Sequence, residues 1–347
     1  MRLGIIRLKK YYAISKKVDS KQMIYNQNSI KDEPDITAIV VNYNTPDLTN
    51  KAVESIINTS PDLTKEIIVV DNGSSDNSTK LIKNEWGDKV FLIENSENYG
   101  FARANNQAMG LGKGRYFFLL NSDAEVVGDS IEKMVSFADT NPNIGILGCK
   151  IVSDSGEQQI SCWPTYDLGF LFCRALNLDR IVSNGIFGCP NIETYGKRNN
   201  SGPVEAVSGC AMLVRSNTTA KVGLFDEQFF MYCEDMDWCT RMQKAGFEVY
   251  FLADAIVRHY SGGTSTGMSN HKMAIELSRS ILKFMRKQYG ITHSLLANVF
   301  MGLFFLIRLP YWVLMSLVGD RKQQAQRMAK SYFIAFCWHA FWPIFIR

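Results

Sequence analysis

The sequence predicts an α/β fold with a mainly parallel central sheet, followed by C-terminal hydrophobic helices. Three observations carry this prediction. Short uncharged apolar runs alternate with segments of helical periodicity, which is the pattern of consecutive βα units. Polar residues directly follow several of these runs, as they do along the carboxyl edge of a parallel sheet. The chain then becomes strongly apolar and aromatic beyond residue 294.

The composition indicates a globular protein with a large core. The 347 residues are 46% hydrophobic and 21% charged, and the net charge of +4 is too small to indicate a nucleic-acid partner. The eight cysteines show no CxxC pair and no zinc-type Cys–His spacing, so we interpret them as reduced thiols in a cytosolic setting. Residues 1–34 are basic at their start and lack the apolar run of a secretory signal. They predict a tail, either a helix on an anionic membrane surface or a disordered arm.

Strands are expected where uncharged apolar runs end in polar residues. The first five predicted strands are 36–44, 66–76, 90–95, 116–120 and 144–150. The segments between them carry apolar residues three and four positions apart, as amphipathic helices do. The first helix is expected to begin with Thr45 as its cap and Pro46 in its first turn. Parallel strands joined in this way require right-handed crossovers.

The stretch 116–127, YFFLLNSDAEVV, is the centre of this pattern. Its first half predicts a strand buried on both faces, and Asn121, Ser122 and Asp123 follow at the carboxyl end. Oxygen ligands in this position suit Mg²⁺ or Mn²⁺, although the same three residues are also common in ordinary turns. The residues in the equivalent position after the other strands are Asn42, Tyr43, Asp71, Asn72 and Asn95. We expect these segments to meet in one crevice suited to a nucleotide.

The second half of the domain carries a second group of acidic residues. Glu234, Asp235 and Asp237 lie at the start of a predicted helix, where the helix dipole favours carboxylates. This pattern suits a proton acceptor, and it also fits an ordinary charged helix start. Around this helix, the sequence predicts an excursion over the active face at 151–203, a strand at 204–216, two short strands within 247–265 and a helix at 271–289. His259 is placed at the end of the second short strand.

Residues 291–347 form the last predicted unit. The segment 295–317 is long enough to cross a bilayer, but Arg308 and Pro310 interrupt it. A basic segment, 319–330, and a short aromatic one follow. We expect membrane-embedded or interfacial helices with their basic residues at the headgroups. A helical hairpin packed on the domain, or a dimer contact, is the alternative.

Seven stretches spread over residues 36–266 carry a resemblance to a known family. They are IVVNYN, VVDNGSSDNS, ENYGFARANNQA, YFFLLNSDAEV, SGCAMLVR, the run from GLFDEQFF to FEVYFL, and VRHYSGGTS. In this order and spacing they resemble family 2 glycosyltransferases with the GT-A fold, in the rhamnosyltransferase-like branch. The resemblance implies a Rossmann-like nucleotide-sugar-binding domain over residues 35–290.

The resemblance implies an inverting hexosyltransferase. Such an enzyme moves a sugar, with rhamnose as the leading candidate, from a nucleotide-diphosphate donor to a glycan acceptor. Together with the apolar C-terminal unit, it implies a lipid-linked acceptor, cell-surface polysaccharide synthesis and a place on the cytoplasmic face of the plasma (inner) membrane. The alternative is a non-catalytic nucleotide-sugar or carbohydrate-binding protein on the same fold. A nucleotidyltransferase is not favoured, because no glycine-rich loop with Arg and Lys follows the first strand.

The resemblance also implies which residues would bind a metal ion. Asp123 matches the metal-binding aspartate of the DxD motif, and His259 matches a histidine that completes the metal site in related enzymes. Asn121 stands where many members have the first aspartate of the motif, and its amide oxygen is still a ligand atom. The implied cofactor is therefore a divalent Mg or Mn cation.

The remaining roles concern the two substrates. Asp235 matches the general base of the family's ED motif, and Glu234 and Asp237 are expected to orient the acceptor or its loop. On the donor side, the residues implied in binding are Tyr43, which would flank the base, Asp71 and Asn72, which would contact base and ribose, and Arg103, which would reach the diphosphate. An ordinary solvated position on its helix explains Arg103 equally well.

Overall fold

A computed structural model describes residues 33–178, 191–260, 270–318 and 322–341. The N-terminal tail predicted over residues 1–34 lies outside the described residues except for its last two. The strands are β1 (Ile36–Asn42), β2 (Lys65–Asp71), β3 (Phe91–Glu94), β4 (Tyr116–Asn121), β5 (Ala124–Val127), β6 (Ile144–Val152), β7 (Cys162–Trp163), β8 (Gly202–Pro203), β9 (Ala206–Val207), β10 (Ala211–Arg215) and β11 (Glu248–His259). The helices are α1 (Pro46–Asn58), α2 (Ser78–Trp86), α3 (Phe101–Leu111), α4 (Ser130–Thr140), α5 (Leu168–Ala175), α6 (Ile192–Gly196), α7 (Thr219–Val222), α8 (Glu234–Lys244), α9 (His271–Tyr289), α10 (Ile291–Val318) and α11 (Lys322–Phe341).

The main sheet has the strand order β3-β2-β1-β4-β10-β6-β11-β5, with β8 beside β11. β1 pairs in parallel with β2 and β4, β2 with β3, and β6 with β11. β10 runs antiparallel between β4 and β6, so β6 points in the same direction as β4. The mainly parallel sheet predicted from the sequence is therefore confirmed, and its carboxyl ends lie along one edge.

The strands are apolar because helices cover both faces of the sheet. Along β4, Phe117 and Leu119 face one hydrophobic cluster, whereas Phe118 and Leu120 face the other. This alternation is the two-residue period of a strand. Helices α1 and α4 contribute to the second cluster, and α3, α8 and α9 contribute to the first. The result is a layered α/β domain in which polar groups are confined to strand ends.

Two local predictions for the second half of the sheet are wrong. The two short strands expected within 247–265 form one strand, β11, whose register against β6 shifts between Leu252 and Ile256. A bulge of this kind lets a single strand continue through the polar interruption at Asp254. The strand expected at 204–216 is divided into β9 and β10, because the chain turns at Ser208 and Gly209 between them.

The C-terminal helices are joined to the domain by apolar packing. Ala297, Met301 and Phe305 of α10 are buried in the same cluster as residues of α8 and α9. Helices α10 and α11 are also joined by a polar contact, since the side chain of Asn298 donates to the carbonyl oxygen of His339 at 3.1 Å. The first half of α10 is therefore part of the folded core.

One expectation about the cysteines is wrong. Cys149, Cys162, Cys210, Cys233, Cys239 and Cys337 are free thiols. Cys173 in α5, however, is disulfide-bonded, whereas the sequence indicated reduced thiols throughout. The spacing of cysteines along the chain could not reveal this, because a disulfide depends on the proximity of two Cβ atoms in the folded structure.

Candidate active site

The carboxyl ends of β1 and β2 are joined by a buried polar network. Asn42 and Asp71 are partners in the strand register, and the amide of Asn42 donates to Oδ2 of Asp71 at 2.7 Å. The backbone N–H of Ser74 donates to the other carboxylate oxygen at 3.1 Å. Asp71 is thereby fixed at the sheet edge by the turn that follows its own strand.

Asn72 has a different environment from its neighbour Asp71. Its side-chain amide donates to Asn98 and to the carbonyl of Gly100, at 3.0 and 3.2 Å. Its carbonyl oxygen accepts from Asn95 and from the backbone N–H of Tyr99, at 3.0 and 3.1 Å. These bonds use the side chain to hold the loop before α3. The contacts therefore support a structural role for Asn72 rather than the predicted contact with base or ribose.

The side chain of Tyr43, in the loop that follows β1, is exposed. The following residue, Asn44, has a left-handed conformation with φ of 56°. Asn44 is hydrogen-bonded to the turn after β2. Its backbone N–H donates to Ser74 Oγ at 2.9 Å, and its side-chain oxygen accepts from the N–H of Ser75 at 2.8 Å. These bonds hold the loop that carries Tyr43 against the turn after β2, and the contact of Tyr43 with a base remains a prediction.

Arg103 lies in the first turn of α3. Its guanidinium carbon is 4.1 Å from the centroid of the Tyr99 ring, a close cation–π contact. The positive end of a helix dipole also favours anions at this position. Arg103 is therefore oriented by an aromatic partner rather than simply solvated, and its role toward a diphosphate remains a prediction.

The chain after β4 brings Asp123 and His259 together. Ala124, the first residue of β5, pairs with His259, the last residue of β11, in an antiparallel register. As a result, Nε2 of His259 lies 3.3 Å from Oδ1 of Asp123, which is almost fully buried. On its other side, Nδ1 of His259 is 2.8 Å from Oε1 of Gln159.

The Asp123–His259 pair has the chemistry and spacing of two ligands to one divalent cation. Carboxylate oxygen suits Mg²⁺ and Mn²⁺, and imidazole nitrogen is a common ligand of first-row metals. Two ligands that each lie about 2.1 Å from one ion are separated by about 3 Å, close to the observed 3.3 Å. Within the described residues, no third His, Cys, Asp or Glu completes a cluster with them. Substrate oxygens and water would therefore supply the remaining ligands, as is usual for Mg²⁺.

A two-residue segment connects this part of the site to the acidic group at the start of α8. The carbonyl of Cys210 accepts from the N–H of Asn121 at 2.8 Å. The N–H of the preceding residue, Gly209, donates to Oδ2 of Asp235 at 2.9 Å. Asn121 and Asp235 are therefore held on either side of the same turn before β10.

Glu234 and Asp235 are neighbouring carboxyl groups with unequal surroundings. Burial raises the pKa of Glu234 well above its usual range, and the charge of Asp235 raises it further. Burial also raises the pKa of Asp235, but the N–H groups of Gly209 and Met236 partly offset this by donating to its carboxylate. Oε2 of Glu234 has no hydrogen-bond partner among the described residues. The pKa of Glu234 is therefore raised further than that of Asp235, so Asp235 is the group that ionises first.

Asp237 is completely buried and points to a different set of partners. Its carboxylate accepts from Nε of Arg241 and lies within 2.8 Å of Nζ of Lys287. The amide of Gln288 donates to the same group at 3.1 Å. These contacts tie α8 to α9, so they support a structural role and not the predicted part in substrate binding.

The sequence did not reveal three residues that shape the site. Gln159 contacts His259, and only a turn-forming DSGE motif at 154–157 precedes it in the sequence. Tyr232 and Cys233 both have positive φ, 70° and 64°, immediately before the acidic group. Strained backbone of this kind is concentrated at functional sites, but nothing in those two residue types indicates it.

Comparison with known proteins agrees with the fold. The profile of the family described as "Glycosyl transferase family 2" matches residues 37–182. The N-acetylglucosaminyl-diphospho-decaprenol L-rhamnosyltransferase of Mycobacterium tuberculosis is 25% identical over 231 residues, which cover 60% of this chain and 71% of that protein. The O-antigen biosynthesis protein RfbC of Myxococcus xanthus is 25% identical over 240 residues, 68% of this chain but only 18% of that protein.

The solved structure of a mannosyltransferase from Pyrobaculum calidifontis, in complex with GDP-Man and Mn²⁺, has a similar fold. Its TM-score is 0.53 at 15% identity, and the match covers 97% of this chain and 95% of that one. The fold is therefore of the GT-A type. Together these matches support a family 2 glycosyltransferase that is similar to rhamnosyltransferases, and the chain is a glycosyltransferase.

Proposed function

We propose that this glycosyltransferase moves one sugar, with inversion, from a nucleotide-diphosphate donor to a hydroxyl group of a glycan acceptor. The observation that carries the proposal is the turn at Gly209 and Cys210, which hydrogen-bonds to Asn121 on one side and to Asp235 on the other. A group suited to a diphosphate and a group suited to proton removal are thereby held next to each other, as a single displacement requires.

The donor would lie along the carboxyl edge of the sheet. Asp71 and Tyr43 would contact the nucleoside, and Asp123 and His259 would hold a divalent cation. When bound, this cation would neutralise part of the negative charge on the departing diphosphate. The side chain of Asn121 has no hydrogen-bond partner in the part of the chain that the structure describes, so it is available to the donor.

Asp235 would remove the proton of the acceptor hydroxyl. A hydroxyl group has a pKa far above 7, so its attack needs a base within hydrogen-bond reach. The two backbone N–H groups on Asp235 fix the carboxylate and help to keep it ionised, while Glu234 retains its proton beside it. Attack opposite to the leaving diphosphate inverts the anomeric carbon in one step.

The donor sugar is proposed to be a hexose, and rhamnose carried by thymidine diphosphate is the leading candidate. The mycobacterial relative, a rhamnosyltransferase named for an N-acetylglucosaminyl-diphospho-decaprenol acceptor, supports this choice and a lipid-linked acceptor. The O-antigen relative supports a role in cell-surface polysaccharide synthesis. Galactose, glucose and mannose are the competing sugars.

A lipid-linked acceptor fits a protein that lies on a membrane. Helix α10 is the one helix in the described residues that is long and apolar enough to cross a bilayer. Arg308, however, donates to the carbonyls of Arg174 and Ala175 at 2.7 and 3.1 Å, which fixes the middle of α10 to α5. Residues 309–318 extend only about 15 Å beyond this point, half the thickness of a bilayer core. We therefore propose that α10 enters one leaflet, on the cytoplasmic side of the inner membrane, and does not span it.

A transfer assay tests the proposed activity. The full chain in detergent is incubated with an N-acetylglucosaminyl-diphospho-polyprenol acceptor, Mn²⁺ and, in separate reactions, thymidine-diphosphate rhamnose, UDP-galactose, UDP-glucose and GDP-mannose. We expect transfer from one donor, an inverted anomeric configuration by NMR, and loss of transfer in excess chelator. Asp123→Ala should lose metal-dependent nucleotide binding, and His259→Ala should weaken it less, because a neutral ligand contributes less than a charged one. Donor binding without transfer or hydrolysis would favour the non-catalytic alternative, and full activity in chelator would rule out the metal.

A further inference from the structure

Gln159 reaches His259 because the chain reverses immediately after β6. The N–H of Ser153 donates to the carbonyl of Glu157 at 2.7 Å, closing a tight turn. The N–H of Gln159 then donates to the carbonyl of Ile151 at 2.8 Å, so the returning segment is fixed to β6. Since β6 pairs in parallel with β11, Gln159 arrives beside the end of β11.

Two hydrogen bonds fix the orientation of the Gln159 amide. Its nitrogen Nε2 donates to the backbone carbonyl of His259 at 3.1 Å, and its oxygen Oε1 lies 2.8 Å from Nδ1 of the same residue. A carbonyl oxygen can only accept a hydrogen bond, so the amide NH₂ must face it. The opposite orientation would place two oxygens against each other. Oε1 therefore faces the imidazole ring.

This orientation determines which ring nitrogen carries the proton. Oε1 of Gln159 can only accept, so Nδ1 of His259 must be the donor. In the neutral ring, Nε2 then has a free electron pair, and this pair faces Oδ1 of Asp123 at 3.3 Å. Two acceptors at this distance repel each other unless a cation or a proton lies between them.

We propose that Gln159 is a positioning residue for the metal site, holding His259 in the tautomer that presents Nε2 to a divalent cation. The proposal rests on the metal role proposed above for Asp123 and His259. A partner that fixes the tautomer and direction of a ligating histidine contributes about 10–100-fold to metal affinity. Gln159 does so from outside the coordination sphere, through one bond to the ring and one to the backbone of the same residue.

The tautomer can be measured directly in the metal-free protein. The chain has four histidines, so ¹⁵N-histidine labelling and long-range ¹H–¹⁵N correlation give few signals, and His259→Ala identifies the relevant one. The spectra are recorded at about pH 9, well above the reference imidazole pKa of about 6.5. We expect a protonated Nδ1 and an unprotonated Nε2 at His259 in the wild type, and loss of this preference in Gln159→Leu.

Gln158→Leu is the matched control. The side chain of Gln158 donates to the carbonyl of Arg198 at 2.7 Å, so the same substitution one position earlier removes a hydrogen bond without contacting His259. Its spectrum at His259 should equal that of the wild type.

Metal affinity provides the second readout. Calorimetry measures the affinity for Mn²⁺ in the presence of a nucleoside diphosphate. The nucleotide is thymidine, uridine or guanosine diphosphate, whichever the wild type binds most tightly. Gln159→Leu should bind Mn²⁺ about 10–100-fold more weakly than the wild type. Gln158→Leu should remain close to the wild type. The proposal would be overturned if His259 of the wild type carried its proton on Nε2, or if Gln159→Leu kept the wild-type tautomer. The first of these measurements uses the wild type alone, so it does not depend on whether a variant folds. Absence of sugar transfer with the expected spectrum would count against the proposed function instead.

Discussion

The backbone N–H of Gly209 donates a hydrogen bond to Oδ2 of Asp235 at 2.9 Å. The adjoining carbonyl, that of Cys210, accepts from the N–H of Asn121 at 2.8 Å. One peptide segment thus fixes the distance between the proposed base and the end of β4, where the diphosphate is expected. Positioning of this kind needs no side chain from the segment, which explains how a glycine and a buried cysteine can occupy so central a place.

Replacing Asp235 by Asn should separate binding from chemistry. Asparagine has nearly the same size, and its oxygen can still accept from the N–H of Gly209, but it cannot take the proton of the acceptor hydroxyl. We expect near-normal binding of donor and metal by calorimetry, with the transfer rate reduced by about 10²–10⁴-fold, the usual contribution of a general base. Transfer within a few-fold of the wild type would show that another group is the base.

Asp237→Asn is the control for this substitution, because it makes the same chemical change two positions further along α8. The carboxylate of Asp237 is enclosed by Arg241 and Lys287. Replacing this charge should lower the free energy of unfolding by about 3 kcal/mol. This value is the lower end of the range for a broken buried ion pair, because Arg241 and Lys287 keep some access to solvent. Thermal unfolding should report this loss. The folded fraction should still transfer sugar, and a fully folded but inactive Asp237→Asn would contradict the assignment.

Glu234→Gln should change the dependence of stability on pH. The pKa of Glu234 is raised in the folded protein, so its contribution to the free energy of unfolding is full below the ordinary carboxyl pKa of about 4.3 and is lost as the pH rises through the raised value. Glutamine cannot lose a proton and removes this loss. The variant should therefore gain stability relative to the wild type as the pH increases, measured as the difference in Tm between about pH 5 and 9, with transfer reduced only a few-fold.

Glu54→Gln is the control for the pH experiment, because Glu54 is exposed on α1. Its Tm difference from the wild type should stay constant with pH. A constant difference for Glu234→Gln as well would show that Glu234 is ionised at neutral pH, and the division of roles with Asp235 would then be wrong.

The sequence predicted the order of the elements because buried strands and amphipathic helices have different periods. It also placed Asp71 and Asn72 at a strand end, but it treated them alike. The structure separates them, since Asn72 is occupied by residues 23 to 28 positions away. Local pattern carries no information about which of two adjacent polar side chains will meet such distant partners.

The pairing of Asp123 with His259 shows the same limit. The two residues are 136 positions apart, and the antiparallel pairing of β5 with β11 brings them together. Strand β5 is only four residues long and was not predicted. Family resemblance alone therefore connected the pair, and it gave no indication of Gln159, which reaches the site through a turn in a segment whose structure was not predicted.

The start of α3 provides a test of backbone geometry near the donor site. Gly100 has φ of +85°, and a Cβ atom added there would lie 2.4 Å from the carbonyl oxygen of Phe230. Gly100→Ala should therefore destabilise the protein by well over 1 kcal/mol and weaken nucleotide binding, because Arg103 lies in the turn that must move. Gly87→Ala is the control, since Gly87 has φ of +46° but an added Cβ would meet nothing within 4 Å. Equal Tm losses in the two variants would mean that the contact with Phe230 is unimportant.

The outer half of α10 should determine membrane attachment. Leu314 and Leu317 are 56% and 67% exposed, so their replacement by Gln leaves the core intact. Truncation near Tyr289 would instead remove the buried Phe305 from the core. Transfer of two leucine side chains from lipid to water costs about 3–6 kcal/mol, which is on the order of a hundredfold or more in the partition coefficient.

Vesicles of anionic lipid provide the measurement for this last prediction. The double variant Leu314→Gln, Leu317→Gln should stay in the supernatant after sedimentation at high salt, whereas the wild type should pellet with the vesicles. Leu81→Gln is the matched control, because Leu81 is an exposed leucine on α2 and should not affect attachment. Both variants should bind donor normally, because the three positions lie on the surfaces of α10 and α2 and not at the carboxyl edge of the sheet. If the wild type remains soluble under these conditions, or if the double variant still pellets, α10 does not enter the membrane in the proposed way.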